Sequence, residues 1–159
     1  MGQQGKHLNS IKVSHEKHTA GCATEIMAIP ETVCISMSQH IGAPCKPLVK
    51  KGDQVKVGQL IGDTDAFVSA PIHSSVSGTV KEISTIRSVT GGDDQVVIIE
   101  TDGNQDVYEE IKPPVINDMK DFIAAVRASG LVGLGGASFP THIKLNPKNL
   151  EEVDTLIVN

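Results

Sequence analysis

A glycine-rich stretch at residues 130–144 carries the clearest chemical pattern in the sequence. Side chains are absent at Gly133, Gly135 and Gly136, so consecutive backbone N–H groups could approach an anion or a planar ring without steric obstruction. Lys144 would add a compact positive charge if its side chain projected back toward these amides. The pattern predicts a loop that holds a phosphate or a flavin. On composition alone, a helix cap that continues into a flexible turn explains it equally well.

Two common nucleotide-binding motifs do not match this stretch. A Rossmann fingerprint begins after a strand and places a third glycine after Gly133 and Gly135, whereas here a helix is predicted upstream and Ser138 occupies that position. A Walker A loop requires Lys-Ser or Lys-Thr directly after the glycines, and neither follows. The stretch is therefore a glycine-rich anion loop of another kind, or no site at all.

The cysteines and histidines form no recognisable metal or disulfide pattern. Cys22, Cys34 and Cys45 are an odd number at wide spacing, and His15 and His18 have no third ligand type close by. We expect reduced thiols, solvated or hydrogen-bonded histidines, no metal site and no catalytic side chain.

Charge and hydropathy exclude other classes of function. The net charge of -5 and the sequence pI near 5.6 argue against nucleic acid as a partner, since no lysine or arginine block offsets them. No apolar run approaches the roughly 20 residues needed to span a bilayer, and the polar residues 1–10 lack the apolar core of a signal peptide. We expect a soluble chain that is not translocated.

The elements that must position the loop begin with a run of short strands between Pro30 and Glu100. β-branched runs punctuated by Gly, Pro and Asp predict an all-β module with strands at residues 32–37, 47–49, 54–61, 67–69, 79–86 and 96–100. Ala-Pro at 43–44 and again at 70–71 is followed by Val, Gly and Val at similar spacing. This faint duplication favours two similar hairpin units facing each other across one core.

Residues 49–61 and 69–80 resemble the biotinyl and lipoyl carrier domains in the order and spacing of their glycines and Ala-Pro. A carrier needs one exposed lysine at a hairpin tip, because the prosthetic group is attached through that amine. Residues 63–68, which occupy that place, contain no lysine. We therefore expect a scaffold that keeps the carrier fold without its covalent chemistry.

A helix and a short strand are predicted beyond the β module. Residues 102–114 read as a linker ending in two prolines, after which Asp118 can cap a helix that ends at Gly130. An apolar stripe supports the helix and consists of Met119, Phe122, Ile123 and Val126. The apolar run at 155–158 is typical of a buried strand in an α/β sheet.

These motifs, taken in order, resemble the C subunit of the Rnf electron-transport complex from about Pro30 to Asn159. The likeness rests on residues 39–45, on Gly52-Asp53, Gly58-Gln59, residues 69–73 and Ser77-Gly78, and on the glycine-rich segment 133–141. Residues 133–140 also resemble the flavin-binding subunit of respiratory complex I, which usually has arginine where this chain has Leu134. A Gly-x-His-Pro element common near the N-terminus of the Rnf protein is replaced by the diverged residues 11–15.

The resemblance implies a biotinyl/lipoyl-like barrel-sandwich hybrid module followed by the start of an α/β flavin-binding domain. We expect an N-terminal arm at 1–29, the barrel-sandwich module at 30–112, and the truncated beginning of an FMN- and NADH-binding domain at 113–159. The cofactor-binding positions that it implies are Gly133, Gly135, Gly136, Ala137, Lys144 and Asn159. We also expect a longer parent chain that continues with a Glu-rich flavin loop, a small β domain and a cysteine-rich domain holding 4Fe-4S clusters.

By the same resemblance, the parent chain would pass electrons between NAD(H), FMN and iron-sulfur clusters in an ion-translocating ferredoxin:NAD oxidoreductase complex. It would be a peripheral subunit on the cytoplasmic face of the cell membrane, with other subunits of the complex as partners. We expect the piece alone to be inactive. Two alternatives stay open: a docking module without the acceptor lysine, and a related electron-transfer protein of amino-acid reductases.

Overall fold

The computed structural model describes residues 14, 16–88, 91–155 and 157. Seven strands precede the helices in these ranges. The strands are β1 (Thr32–Ser36), β2 (Lys46–Pro47), β3 (Gln54–Val55), β4 (Leu60–Asp63), β5 (Ile72–His73), β6 (Gly78–Arg87) and β7 (Asp93–Thr101). The helices are α1 (Met119–Ala128) and α2 (Thr141–Lys144), followed by a 3-10 turn at Leu150–Glu152. Within the described residues, no helix has the length and apolar character needed to cross a membrane.

The strands form two small antiparallel sheets. The larger sheet has the order β1-β7-β6-β3, and the smaller one has the order β2-β4-β5. The long strands β6 and β7 pair over their whole length, with a bulge between Val80 and Glu82 that bends the sheet. The shortest strands contain two residues, so pairing alone would not keep them in place.

One apolar core lies between the two sheets. The larger sheet contributes Ile35, Val55, Val80, Val97 and Ile99, and the smaller sheet contributes Ile61 and Ile72. Met37 and Cys45 come from the connection between β1 and β2 and are buried in the same cluster. The core agrees with the predicted sandwich, and the halves of the duplication meet where β3 pairs with β6.

Two strand predictions need correction, and one strand was not predicted. The predicted strand at 54–61 is two strands, because Gly58 takes a φ of 80° and turns the chain between β3 and β4. The predicted strand at 67–69 is an irregular hairpin tip in which Phe67 is 81% exposed. The two-residue strand β5, which follows this tip, was too short to produce a periodic signal in the sequence.

The arm and the end of the chain carry little regular structure. Residues 16–29 form no helix or strand apart from a turn at 18–21, and their side chains are exposed. Thr155 and Ile157 are not in a strand, and the other two residues of the predicted strand at 155–158 lie outside the described residues. A buried strand needs a neighbouring strand for its hydrogen bonds, and no described strand lies beside Thr155 or Ile157.

Helix α1 has the caps that its sequence predicts. The Asp118 carboxylate accepts a hydrogen bond from the amide of Asp121 at 2.8 Å, which satisfies one of the free N–H groups at the helix start. Gly130 follows the last turn with a φ of 70°, a left-handed conformation that favours glycine. None of the residues of α1 is buried, so its apolar stripe is only partly covered by the described residues.

A bidentate ion pair joins α1 to the β module. The two Arg127 guanidinium nitrogens donate to the Asp63 carboxylate at 2.8 and 3.2 Å, and one of them also donates to the Thr64 carbonyl at 3.0 Å. Burial alone would raise the pKa of Asp63, but hydrogen bonds from Arg127 and the Thr64 amide outweigh it and hold that pKa below its ordinary value.

The first prediction concerns Gly78, where β6 lies against the backbone of β7. A Cβ at this position would overlap the carbonyl oxygen of Glu100, which belongs to a paired strand and cannot move freely. We expect Gly78→Ala to lower the free energy of unfolding by about 2 kcal/mol, as overpacking does in rigid cores. Gly92→Ala is the matched control, because a Cβ there meets nothing within 4 Å. Equal stability of the two variants in denaturant titrations would contradict the prediction.

The second prediction concerns the pH dependence of the Asp63–Arg127 pair. Because the pKa of Asp63 is lowered in the folded state, its stabilisation is present above about pH 4, the ordinary range of an unfolded aspartate. It is lost as the pH falls through the lower folded-state pKa. We expect Asp63→Asn to cost about 1 kcal/mol of unfolding free energy at pH 7, and the difference from wild type to shrink toward pH 2.

The control for this experiment is Asp93→Asn, which removes a carboxylate from an exposed pair with Arg87 at 4.0 Å. That variant should match wild type at both pH values. If Asp63→Asn differs from wild type by the same unfolding free energy at pH 7 and pH 2, the ionised carboxylate is not what stabilises the contact between α1 and the β module.

Candidate functional site

The glycine-rich stretch forms a closed loop between α1 and α2. Two backbone hydrogen bonds tie its ends together, from the Gly133 amide to the Phe139 carbonyl and from the Thr141 amide to the Leu131 carbonyl, each at 3.0 Å. Val132 and Pro140 face each other across this neck as an isolated antiparallel bridge. The neck holds residues 134–138 together as a projecting turn.

The turn presents backbone rather than side chains to its surroundings. In the described part of the chain, the amides of residues 134–138 donate no short, well-aligned backbone hydrogen bond. A Cβ on Gly135 or Gly136 would meet nothing within 4 Å, and neither residue has a positive φ. Local packing and backbone conformation therefore do not require glycine at these two positions. The missing side chains leave a surface on which a ligand can approach the main chain.

Lys144 projects back onto this loop from the end of α2. Its Nζ atom lies 2.7 Å from the place that a Cβ on Gly133 would occupy. The same atom lies 5.9 Å from the centre of the Phe139 ring, within the range of a cation-π contact. The buried Pro140 precedes the single turn of α2 and sets the direction from which Lys144 returns. A positive charge thus stands beside the neck of a loop whose amides donate no short, well-aligned backbone hydrogen bond.

Ser138 has a left-handed backbone conformation that glycine adopts more easily than serine. Its φ of 51° is left-handed, which is unusual for a residue with a side chain. This serine occupies the position at which a Rossmann fingerprint would have its third glycine. The turn requires a left-handed φ at this position, and a serine in that conformation has a strained backbone.

The structure brings five of the six predicted cofactor-binding positions together. Gly133, Gly135, Gly136 and Ala137 lie on the one loop, and Lys144 reaches Gly133. Asn159 lies outside the described residues. Whether these residues bind a cofactor stays a prediction at this point.

His142 is a buried residue that no sequence pattern singles out. It lies on α2, and its Nδ1 atom has no hydrogen-bond partner in the described part of the chain. Burial lowers the pKa of His142, and the positive charge of Arg127 lowers it further, which favours a neutral imidazole. The residue lies beside a groove of about 460 Å³ between the two helices, which is lined mainly by Met119, Ile123, Ala124 and Asn146. Nothing in its Thr-His-x-Lys context distinguishes such a histidine from a solvated one.

A second buried histidine has a structural role. His40 Nδ1 contacts the Ile41 carbonyl at 3.1 Å, and its Nε2 accepts a hydrogen bond from the Ala70 amide at 3.2 Å. The Cys45 thiol donates to the Ala70 carbonyl at 3.2 Å. Burial and the nearby Asp63 carboxylate raise the pKa of Cys45, so this thiol is a poor nucleophile. The network fixes the Ala70-Pro71 segment against the β1–β2 connection.

The remaining polar groups suggest no metal centre. Within the described ranges, no three His, Cys, Asp or Glu side chains are grouped as possible metal ligands. All three cysteines are free thiols, with Cys22 and Cys34 exposed and Cys45 buried.

Comparison with known proteins identifies both parts of the chain. Residues 6–104 match the model of the RnfC barrel sandwich hybrid domain, and residues 126–159 match the model of the Nuo51 FMN-binding domain. The second match begins in the last turn of α1 and includes the whole glycine-rich loop and Lys144.

Curated relatives agree with these matches. The chain is 45% identical over 148 residues to the C subunit of the proton-translocating ferredoxin:NAD(+) oxidoreductase complex of Clostridium ljungdahlii, covering 91% of this chain and 32% of the relative. It is 47% identical over 133 residues to the C subunit of the Na(+)-translocating ferredoxin:NAD(+) oxidoreductase complex of Acetobacterium woodii, covering 82% and 30%. The C subunit of the ion-translocating oxidoreductase complex of Rhodobacter capsulatus is 34% identical over 151 residues, covering 92% and 29%.

The chain spans about a third of the length of these relatives. Its barrel-sandwich domain match covers more than half of its 159 residues, and the described strands form the sandwich that this domain name implies. The predicted fold class is therefore confirmed, and the chain belongs to the RnfC family.

Proposed function

We propose that this chain is part of an electron-transfer subunit and that the loop at 131–141 holds the phosphate group of FMN. The observation that carries the proposal is the exposed turn at 134–138, whose amides donate no short, well-aligned backbone hydrogen bond, while Lys144 folds back to the neck of the loop. The match of residues 126–159 to an FMN-binding domain covers this turn and supports FMN as the ligand.

The residues present fit an anionic group. Amides of a compact turn that make no short, well-aligned hydrogen bond within the chain can donate to phosphate oxygens. The Lys144 ammonium adds a charge that attracts an anion to a protein whose net charge of -5 would otherwise repel it. Gly135 and Gly136 keep the approach open, because a side chain at either position would occupy the space in front of the main chain.

Bound FMN would supply hydride acceptance from a nicotinamide and release of single electrons. The residues of this chain would bind and orient the cofactor at its phosphate end. None of the described side chains is assigned a proton transfer or a covalent step. The nicotinamide site and any iron-sulfur ligands would lie in other parts of a longer subunit.

The names of the relatives support the wider role. They are C subunits of complexes named as ferredoxin:NAD(+) oxidoreductases that translocate protons or sodium ions. We infer that this chain contributes to the same electron transfer between NAD(H), FMN and 4Fe-4S clusters. It would act as a peripheral subunit at the cytoplasmic face of the membrane, with other subunits of the complex as partners.

The test of this proposal is a titration of the purified protein with FMN, followed by the flavin fluorescence and by equilibrium dialysis. The protein should be used both as this chain and in any longer form that its gene encodes. We expect saturable binding of one FMN per chain in the longest form. No flavin binding by that form would overturn the proposal.

The third prediction tests the open turn. Gly135→Val and Gly136→Val should leave the unfolding free energy within about 0.5 kcal/mol of wild type, because neither position is crowded or has a positive φ. Both variants should weaken FMN binding by about tenfold or more, since the new side chain occupies the ligand's approach. Loss of stability without loss of binding would show that these glycines serve the fold rather than a ligand.

The fourth prediction tests the positive charge at the neck. Lys144→Met keeps most of the length of the side chain and removes its charge, so FMN affinity should fall by about tenfold. Lys148→Met is the matched control, because Lys148 is a lysine four residues further along the chain and beyond α2. The effect of Lys144→Met should decrease at high salt, where the charge is screened. Equal affinities of the two variants would remove Lys144 from the site.

A further inference from the structure

We propose that Arg127 is the positioning residue of the glycine-rich loop, anchoring it to the hairpin tip where carrier domains hold their lysine. The flavin part of this inference rests on the proposed function, whereas the position of the loop can be measured without any ligand. In carrier domains this hairpin tip presents a mobile prosthetic group. In this chain the tip would instead be a fixed attachment point for helix α1.

The contact at the hairpin tip involves several acceptors at once. Asp63 is the last residue of β4, and its carboxylate accepts hydrogen bonds from the Arg127 guanidinium and from the Thr64 amide. Arg127 also donates to the Thr64 carbonyl at 3.0 Å and lies 3.4 Å from the Ser69 hydroxyl. One arginine therefore bridges both sides of the hairpin. The planar guanidinium suits such a set of acceptors, which a lysine could not satisfy together.

Only a few residues separate this contact from the loop. Gly130 lies three residues after Arg127, and a Cβ on it would stand 2.5 Å from the Pro71 carbonyl oxygen just before β5. The amide of Gly130 donates to the Arg127 carbonyl at 2.9 Å. The end of α1 is thus bonded to the β module through Arg127 and lies close to it at Gly130, and the loop neck at Gly133 follows directly.

The least exposed ion pair among the described residues joins helix α1 to the β module. No residue of this helix is fully buried, and Phe122, Ile123 and Val126 are half-buried, so apolar packing sets its orientation only in part. The ion pair adds a specific polar contact, whose side chains are only 33% and 28% exposed. The described ranges contain three other ion pairs between a lysine or arginine and an acidic residue. In each of them, both side chains are more exposed than those of Arg127 and Asp63. Exposed pairs of that kind contribute little to structure.

The experiment compares Arg127→Met with Arg87→Met, using hydrogen exchange of the purified full-length protein without FMN. Arg87 is the matched control, since it is an exposed arginine whose carboxylate partner lies 4.0 Å away. We expect Arg127→Met to speed exchange of the Gly133 and Thr141 amides by about tenfold, with the amides of β6 and β7 unchanged. Arg127→Lys should give a smaller increase, and Arg87→Met none. Asp63→Asn removes the negative charge on the other side of the same contact, and it replaces Arg127→Met in the comparison if that variant does not fold.

FMN titration of the same variants separates this inference from the proposed function. Faster loop exchange together with an affinity about tenfold lower for Arg127→Met supports the positioning role. If exchange is faster in Arg127→Met but the wild type binds no FMN, the Arg127–Asp63 contact still positions the loop, and the flavin assignment is overturned instead. Unchanged exchange in both Arg127→Met and Asp63→Asn overturns the inference. Faster exchange with unaltered FMN affinity also overturns it, because the joint would then not position the binding site.

Discussion

The shared core between the two small sheets is the constraint on which the rest of the structure depends. Strands of two residues, such as β2, β3 and β5, have too few hydrogen bonds to persist alone. They are held because the buried side chains of both sheets pack in one cluster. The two sheets must therefore form together. The hairpin tip between β4 and β5 lies outside the core and is free to take another role.

That hairpin tip differs from the tip of a carrier domain, while the core keeps the barrel-sandwich arrangement. The described tip has an exposed phenylalanine and a carboxylate that binds an arginine, in the region where a carrier would present a lysine. A swinging arm requires that the tip contact nothing else in its own chain. A fixed joint requires the opposite, and a contact to a following helix achieves it. The geometry therefore favours an attachment site over a mobile carrier.

Features that depend on local patterns could be predicted from the sequence, whereas contacts between distant residues could not. The caps of α1 and the long strands β6 and β7 were predictable, since a capping aspartate and extended β-branched runs act locally. The pairing of Asp63 with Arg127 was not, because nothing in either residue's neighbourhood indicates a partner 64 positions away. His142, whose buried Nδ1 has no hydrogen-bond partner among the described residues, was missed for the same reason. The glycine-rich loop was recognised, but its closed neck is a property of the folded chain.

Glycines at different places in this chain differ in whether the fold requires them. Gly78 and Gly130 stand where a Cβ would collide with backbone atoms, so the fold alone accounts for them. Gly135 and Gly136 have open space around them and no positive φ, so the fold does not account for them. Open space alone assigns no role to a glycine, but these two lie on the turn beside Lys144. The positive charge of Lys144 beside that turn supports the proposal of an anionic ligand, and a negative charge is common to phosphate and to the phosphate end of a flavin nucleotide.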